Sequence, residues 1–295
     1  MTSGDGVSVM ITGAAGQLGY ELQRTAPADA IVLPVDIADL DLTDVAAVES
    51  FVARHQPRVI INGAAYTAVD RAESQPEQAE AVNVTAAATL ATAAYRHGAR
   101  LIQISTDFVF GGGTGRPWHR SDATDPQSVY GRTKRDGECA VLEMLGRDAL
   151  VIRTAWLYSV HGGNFVKTML RLMAERDDVG VIADQVGTPT WANSLARTIW
   201  VSVDRPAVSG VLHWTDAGVA SWYDFAVAIQ EEGITRRLLQ RAVPIHPIAT
   251  SDYPTPAVRP IYSVLDKNDT VALLGVAPIH WRVNLRHMLD ELVNV

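Results

Sequence analysis

The chain has only one cysteine, Cys139, among its 295 residues. A single cysteine excludes an internal disulfide framework and is typical of proteins from a reducing compartment. No apolar run approaches the roughly 20 residues that cross a bilayer. Residues 1–6 lack the basic and apolar segments of a secretory signal. We therefore expect a cytoplasmic, soluble protein without a membrane partner.

Positive charge is also scarce, since 25 Lys and Arg residues stand against 33 Asp and Glu residues, for a net charge of -8. This balance argues against binding to a nucleic acid polymer or to an anionic membrane. The eight histidines are scattered, so no histidine cluster suggests a metal site. Hydrophobic residues make up 47% of the chain, enough for one large domain or for two tightly joined lobes.

Short apolar runs alternate with helical stretches in the first half of the chain. Strands are predicted at 7–12, 30–35, 58–62, 99–105 and 150–153, and helices at 17–26, 45–55 and 76–97. Continuous apolar strands separated by helices indicate a parallel sheet that is buried on both faces. We predict an α/β fold, a Rossmann-type doubly wound parallel sheet with a smaller C-terminal substrate-binding lobe.

The alternating pattern loosens after residue 155, where prolines cluster and tryptophans recur. We predict an NAD(P)-binding Rossmann domain over residues 1–155, completed by later segments near 190–215 and 255–266. Residues 156–295 would form mainly the substrate-binding lobe, which covers the carboxyl edge of the sheet.

A glycine-rich loop follows the first predicted strand and opens a helix. Gly13, Gly16 and Gly19 are spaced Gly-x-x-Gly-x-x-Gly. Glycines permit a tight turn and close backbone approach, and the amides of the helix N-terminus can bind a pyrophosphate. A tight strand–helix turn without a ligand has the same pattern. The position near the N-terminus favours a dinucleotide site.

Asp36 ends the second predicted strand, seventeen residues after Gly19. A carboxylate at this place suits the free ribose hydroxyls of NADH better than the 2′-phosphate of NADPH. The alternative is a solvated acid at a strand end. The other residues expected to line the adenine and ribose on this edge are Asp41, Leu42, Ala64, Ala65, Tyr66 and Thr67.

Tyr130 and Lys134 lie four residues apart in a predicted helix, with Ser128 as its N-cap. This spacing places both side chains on one helical face, where an ammonium lowers the pKa of a neighbouring phenol. The same pattern occurs by chance in many proteins. Thr106 strengthens it, because this hydroxyl ends a strand at the edge where α/β sheets bind ligands. We predict that these three residues form a catalytic set around a nicotinamide.

Several longer stretches carry a family resemblance. They are residues 62–73, 105–110, 153–158, 164–170 and 254–260. Together with the glycine loop, Thr106 and the Tyr130-x-x-x-Lys134 pair, they resemble the dTDP-4-dehydrorhamnose reductases of the extended short-chain dehydrogenase/reductase superfamily. The resemblance runs from residue 7 to about residue 290 and so covers nearly the whole chain.

The resemblance implies a specific reaction: reduction of the C4 ketone of dTDP-6-deoxy-L-lyxo-4-hexulose to dTDP-L-rhamnose by NADPH or NADH. Tyr130 would donate the proton, Lys134 would lower the pKa of that phenol and hold the ribose, and Thr106 would tune Tyr130. Thr106 would also bond the sugar oxygen, and Asp107 and Trp156 would contact the dTDP-sugar substrate. By position, the resemblance assigns the dinucleotide to Gly16, Gln17, Leu18, Asp36, Asp41, Leu42, Ala65, Tyr66 and Thr67.

The resemblance also implies a Mg²⁺ site at a dimer interface, built from three acidic positions. The matching residues here are Glu21, Asn193 and Glu291. Asparagine in place of an acid removes part of the charge that holds a hard cation. Mg²⁺ is therefore not favoured, activity in EDTA is expected, and both a monomer and a homodimer stay open.

Two other functions stay open. A sugar-nucleotide epimerase or dehydratase shares the Rossmann half and the Tyr/Lys pair, but dehydratases carry a second acid where Phe108 follows Asp107. A non-catalytic NADP-binding regulatory subunit, resembling the methionine adenosyltransferase β subunit, would bind the coenzyme without turnover. The intact Thr106, Tyr130 and Lys134 favour a reductase.

Overall fold

The computed structural model describes residues 6–294, so the predicted absence of a signal at the N-terminus concerns residues that lie mostly outside the described part. The strands are β1 (Ser8–Thr12), β2 (Ile31–Val35), β3 (Val59–Asn62), β4 (Arg100–Thr106), β5 (Ala149–Thr154), β6 (Leu157–Tyr158), β7 (Val179–Ile182), β8 (Val186–Gly187), β9 (Thr190–Trp191), β10 (Gly210–His213), β11 (Ala220–Ser221) and β12 (Ile245–Ile248).

Eleven α-helices accompany these strands within residues 6–294. They are α1 (Gln17–Arg24), α2 (Val45–His55), α3 (Val69–Ser74), α4 (Pro76–Glu80), α5 (Ala86–His97), α6 (Val129–Leu145), α7 (Phe165–Glu175), α8 (Ala192–Val203), α9 (Trp222–Thr235), α10 (Asn268–Leu274) and α11 (Trp281–Val293). Among the described residues, no helix combines the length and apolar character needed to cross a bilayer.

The main sheet has six strands in the order β10-β5-β4-β3-β1-β2, and every neighbouring pair is parallel. The chain order of the strands reverses at β1, which lies between β2 and β3. In open α/β sheets the ligand crevice lies outside the carboxyl ends of the strands at such a reversal. The predicted fold class is confirmed, and the crevice is expected beside residues 12–13 and 62–63.

Both faces of the sheet are buried, as continuous apolar strands predict. Val9 and Ile11 of β1 belong to a core cluster with Leu22 of α1 and Ile199 of α8. Met10, on the opposite face, belongs to a second cluster formed with α2, α5 and α6. Alternate residues of one strand therefore anchor helices on both sides, which fixes the glycine loop at the end of β1.

The stretch predicted to be helical over residues 76–97 is helical throughout, but not all of it is α-helix. Between α4 and α5 lies a π-helical segment, Ala81–Thr85, which contains the buried Asn83. The Oδ1 atom of Asn83 accepts a hydrogen bond from the amide of Tyr66 at 2.9 Å, and Nδ2 donates to Thr133 Oγ1 at 3.0 Å. The wider π turn thus ties the loop after β3 to helix α6. Such turns often occur near functional sites.

The second half of the chain builds its own core. Tyr158, Val166, Phe225 and Met288 are among its buried residues, and helices α7, α9 and α11 contribute to it. Strand β10 joins the main sheet beside β5, and α8 packs on α1. The division of the chain at residue 155 stays a prediction.

Candidate active site

A cavity of about 930 Å³ runs along the carboxyl ends of β1 to β5 and is closed by residues of the second half of the chain. Of the site residues predicted above, all but Tyr66 line its wall. They are Gly13, Gly16, Gln17, Leu18, Gly19, Asp36, Asp41, Leu42, Ala64, Ala65, Thr67, Thr106, Asp107, Tyr130, Lys134 and Trp156. The fold therefore brings together residues that lie up to 143 positions apart in the sequence.

Each of the three loop glycines has a different role in the structure. Gly13 has a φ of +67°, in the left-handed region that favours glycine. A Cβ on Gly19 would lie 2.2 Å from the carbonyl oxygen of Gly13, so helix α1 could not pack on the loop. Gly16 is the N-cap of α1 and adds no side-chain bond to the helix amides.

The first amides of helix α1 are available to a ligand. The N–H groups of Gln17, Leu18 and Gly19 have no hydrogen-bond acceptor within residues 6–294. All three residues line the cavity. Free amides at a helix N-terminus, with its positive dipole end, are a binding site for a phosphate. This arrangement fits the pyrophosphate of a dinucleotide.

Asp36 lies where the sequence places it, at the end of β2 on the cavity wall. Its Oδ2 accepts a hydrogen bond from the amide of Ala15 at 2.7 Å, and its Oδ1 accepts one from the amide of Ile37 at 2.8 Å. The carboxylate therefore also fixes the glycine loop. Asp41 is exposed, and its hydrogen bonds to Thr43 lower the pKa of the carboxyl.

Tyr66 occupies a different place from its neighbours Ala65 and Thr67. Its hydroxyl donates to Gln75 Oε1 at 2.6 Å, and its ring packs against the buried cluster of Ala72, Ala79 and Val129. Tyr66 thus packs beside Val129 of helix α6 and is absent from the cavity wall. Sequence position alone does not separate such a packing role from ligand contact.

Thr106 and Asp107 lie at the end of β4 and are both buried. The Thr106 hydroxyl donates to Asp107 Oδ1 at 3.0 Å and accepts from the amide of Phe108 at 3.2 Å. Burial raises the pKa of the Asp107 carboxyl to about 6. The Oδ2 atom of Asp107 is buried and has no hydrogen bond of normal geometry among residues 6–294, while interaction with the Ser263 side chain opposes the rise in the pKa of this carboxyl. Asp107 lines the cavity, so its carboxyl group can accept a hydrogen bond from a polar ligand.

Ser128 caps helix α6, as predicted, by accepting a hydrogen bond from the amide of Gly131 at 3.1 Å. This cap positions Tyr130 and Lys134 in the first two turns, and both line the cavity. The hydroxyl of Thr106 lies close enough to Tyr130 to act on the pKa of the phenol, which it lowers. The strand end and the helix face therefore meet as the spacing predicts.

The net shift of the pKa of Tyr130 is upward, and its predicted lowering by Lys134 stays a prediction. Burial raises the pKa of Tyr130 to about 12, against the opposing effect of the Thr106 hydroxyl. Burial also lowers the pKa of Lys134 to about 8. The Nζ atom of Lys134 donates to the carbonyl of Ile104 at 2.7 Å. Desolvation disfavours the charged form of each group, and it is the largest effect on both pKa values.

An aromatic wall forms the far side of the cavity. Trp156 has a φ of +49°, which is uncommon for a bulky residue. Its indole stacks on that of Trp222, with centroids 3.5 Å apart and planes 6° apart. A Cβ on Gly187 would lie 2.6 Å from the Trp156 ring. Gly187, which has no side chain, leaves room for the Trp156 ring. Its stacking on Trp222 and the surrounding packing hold Trp156 against the cavity despite its uncommon backbone conformation.

The loop over residues 159–164 fastens the second half of the chain to the glycine loop. Asn164 Nδ2 lies 3.0 Å from Gln17 Oε1, to which it donates a hydrogen bond. His161 Nε2 lies 2.8 Å from the carbonyl oxygen of Ala15, and its ring stacks on Tyr20. Asn164 lines the cavity, so both halves of the chain contribute to the cavity wall beside the glycine loop.

Comparison with known proteins agrees with this geometry. The family model described as the RmlD substrate binding domain matches residues 7–294. The chain belongs to this family. A relative from Streptomyces griseus, named dTDP-4-dehydrorhamnose reductase, is 44% identical over 290 residues, with 96% of this chain and 93% of the relative covered. The resemblance stated from the sequence is confirmed.

Two solved structures extend the comparison. A dTDP-4-dehydrorhamnose reductase from Clostridium acetobutylicum superposes with a TM-score of 0.90 at 41% identity, covering 97% of this chain and 99% of that one. The enzyme of the same name from Bacillus anthracis, solved in complex with NADP, gives a TM-score of 0.91 at 34% identity with the same coverage. The RmlD family fold therefore spans both halves of this chain.

The residues at the implied Mg²⁺ position of the RmlD family converge in this structure, but their donor set does not fit a hard cation. Glu21 is fully buried; its Oε2 accepts from Asn193 Nδ2 at 2.8 Å and its Oε1 from Ser159 Oγ at 2.7 Å. Arg24 lies 3.5 Å from Glu21 and 2.7 Å from Glu291. The arginine and the amide already satisfy both carboxylates, whereas Mg²⁺ requires free oxygen ligands.

Sequence reasoning gave no role to three residues that line the cavity: Asn164, Trp222 and Arg259. Asn164 and Arg259 lie in stretches that carry the family resemblance, and that resemblance could have identified them as site residues. Trp222 had no signal beyond the recurrence of tryptophan, because its stacking on Trp156 links positions 66 residues apart.

Proposed function

We propose that this chain reduces the C4 ketone of dTDP-6-deoxy-L-lyxo-4-hexulose to dTDP-L-rhamnose, with NADPH or NADH as reductant. One observation carries the proposal. A single cavity joins the free amides of helix α1 to Thr106, Tyr130 and Lys134 and to the aromatic wall at Trp156. The coenzyme, the proton donor and the sugar would therefore lie next to one another in this cavity. The relatives named dTDP-4-dehydrorhamnose reductase support the choice of substrate.

The coenzyme site fits a dinucleotide. The amides of Gln17, Leu18 and Gly19 would bind its pyrophosphate, and Asp36 would face the adenosine ribose. When bound, the nicotinamide supplies the hydride that the ketone needs. The NADP complex of the Bacillus anthracis relative supports NADPH as one coenzyme.

Tyr130 is the proposed proton donor. Its raised pKa, about 12, keeps the phenol protonated at every working pH. As hydride reaches the carbonyl carbon, the oxygen becomes an alkoxide, which is a stronger base than a phenolate and takes the phenolic proton. Thr106 would stabilise the phenolate that remains by turning its hydroxyl hydrogen from Asp107 Oδ1 to the phenolate oxygen.

Lys134 would assist in two ways. Its ammonium, one helical turn from Tyr130, stabilises the developing phenolate by charge, and it would hold the nicotinamide ribose. Because its Nζ donates to the Ile104 carbonyl, two of its three hydrogens are left for these tasks. On the sugar side, the carboxyl group of Asp107 and the ring of Trp156, which both line the cavity, would contact the substrate.

The direct test is a coenzyme-oxidation assay with purified protein, the 4-keto sugar nucleotide, and NADPH or NADH, in buffer that contains EDTA. We expect coenzyme oxidation that depends on the keto sugar and yields dTDP-L-rhamnose. Coenzyme binding without oxidation would contradict the proposal and indicate a non-catalytic binding protein. Turnover restored only by Mg²⁺ would contradict the metal-independent site.

The pH dependence follows from Lys134. Burial lowers its pKa to about 8, so the ammonium is present below that pH and is lost above it. We expect kcat/KM to fall about tenfold per pH unit above pH 8. Tyr130 does not cause this fall, because its phenol keeps its proton to about pH 12.

The matched control for this pH profile is Lys134→Met, in which no ammonium can titrate. Its residual kcat/KM should be low and should lack the decline above pH 8. A decline that persists unchanged in the variant would show that another group titrates there.

A further inference from the structure

The charged side chains on the cavity wall are few. Three are carboxylates, Asp36, Asp41 and Asp107, and two are cations, Lys134 and Arg259. The proposed reaction, on which this inference rests, brings two diphosphates into the cavity, one in the coenzyme and one in the sugar nucleotide. The amides of helix α1 serve one diphosphate. Lys134 donates to the Ile104 carbonyl. Arg259 is therefore the cation that remains to bind the second diphosphate.

The guanidinium of Arg259 is held on one edge only. Nη2 donates to Asp70 Oδ2 at 2.7 Å and Nη1 to Asp70 Oδ1 at 3.1 Å. Nη1 also donates to the Thr255 hydroxyl and to the carbonyl of Ala257 at 3.2 Å. The Nε–H has no acceptor within residues 6–294. An arginine has five N–H donors in a rigid fork, so Nε–H and the second hydrogen of Nη2 remain free.

We propose that this free edge of Arg259 binds the diphosphate of the sugar nucleotide, and that Asp70 is the residue that positions it. Two N–H groups on one side of a guanidinium match two phosphate oxygens, and such bidentate pairs are among the strongest hydrogen bonds in proteins. The bond between Asp70 and the amide of Ala257, at 3.2 Å, fixes the loop that carries Arg259. The fork is therefore oriented before the ligand arrives.

The location favours the substrate over the coenzyme. Asp70 lies on α3, which follows β3, whereas the adenosine side of the coenzyme is expected at the end of β2, by Asp36. Strand β1 separates these two strands in the sheet. Trp222 of the aromatic wall lines the same cavity as Arg259, and both belong to the second half of the chain. The diphosphate of the sugar nucleotide would thus bind beside the sugar site, within the same cavity.

The test compares the binding of dTDP and thymidine by titration calorimetry in the wild type, Arg259→Met, Arg259→Lys and Asp70→Asn. We expect Arg259→Met to weaken dTDP binding about 30- to 100-fold and thymidine binding little, since thymidine has no diphosphate. Arg259→Lys should recover part of the loss, because it keeps the charge without the fork. Asp70→Asn should show a smaller loss with the same selectivity for dTDP.

The control is Arg241→Met, which removes a surface arginine that pairs with Asp177 outside the cavity. It should leave both affinities and the kinetics unchanged. In Arg259→Met, KM for the sugar nucleotide should rise with the dTDP dissociation constant, while kcat and NADPH affinity stay close to wild type.

Unchanged dTDP affinity in Arg259→Met, in a protein that still reduces the keto sugar, would overturn this inference and leave the proposed function standing. Equal losses for dTDP and thymidine would also overturn it, since they would indicate a structural role. Lost NADPH affinity would assign Arg259 to the coenzyme instead. A wild type that neither binds dTDP nor turns over would contradict the proposed function itself.

Discussion

Tyr130→Phe should lower kcat by about 10³-fold and leave NADPH affinity nearly unchanged. The substitution keeps the ring that lies on the cavity wall and removes only the hydroxyl that lies close to Thr106. Hydride transfer to the ketone then produces an alkoxide without a positioned acid. Steady-state kinetics, together with a coenzyme titration followed by fluorescence, separates the two effects.

Tyr95→Phe is the matched control, because Tyr95 is 66% exposed on α5 and its hydroxyl faces solvent. Its kcat should equal that of the wild type. Near-normal turnover in Tyr130→Phe would mean that another group donates the proton. A parallel loss of coenzyme affinity would mean that the phenol mainly holds the nicotinamide side of the site.

The local parts of the site could be predicted from the sequence because their geometry depends on short spacings. The glycine loop needs only the left-handed φ of Gly13 and the close contact at Gly19, and both follow from a strand that turns directly into a helix. The shared face of Tyr130 and Lys134 follows from the helical repeat. Neighbours in sequence carry this information.

The rest depends on contacts between distant segments, which spacing does not reveal. The stack of Trp156 on Trp222 and the pairing of Asp70 with Arg259 join positions 66 and 189 residues apart. Sequence position groups Tyr66 with the coenzyme residues, whereas in the structure its hydroxyl donates to Gln75 and its side chain does not line the cavity. Each of these outcomes is a consequence of tertiary packing.

The direction of the pKa shifts also required the structure. The sequence shows that an ammonium lies near the phenol of Tyr130, but it does not show how deeply either group is buried. Desolvation acts on each group alone and disfavours its charged form, which raises the pKa of Tyr130 and lowers that of Lys134. The phenol of Tyr130 therefore holds its proton more strongly than an ordinary tyrosine, and the ammonium of Lys134 holds its proton more weakly than an ordinary lysine.

Glu138→Gln should lower the free energy of unfolding by about 3–5 kcal/mol, because it leaves a buried charge without its partner. Glu138 lies on α6, one turn after Lys134, and pairs with Arg153 of β5 through bonds of 2.9 and 2.7 Å. Both side chains are at most 6% exposed. Burial also lowers the pKa of the neighbouring His213 to about 3, so this imidazole is neutral at physiological pH. Urea unfolding followed by circular dichroism measures the loss.

The control is Glu175→Gln, which breaks an exposed pair with Arg171 on α7 and should cost no more than about 0.5 kcal/mol. The double variant Glu138→Gln with Arg153→Met should be more stable than Glu138→Gln alone, since it leaves no unpaired charge. A loss below about 1 kcal/mol in Glu138→Gln would contradict the argument, because solvent would then be reaching Arg153. Helix α6 also carries Tyr130. If Glu138→Gln shifts this helix, the variant should therefore also lower kcat.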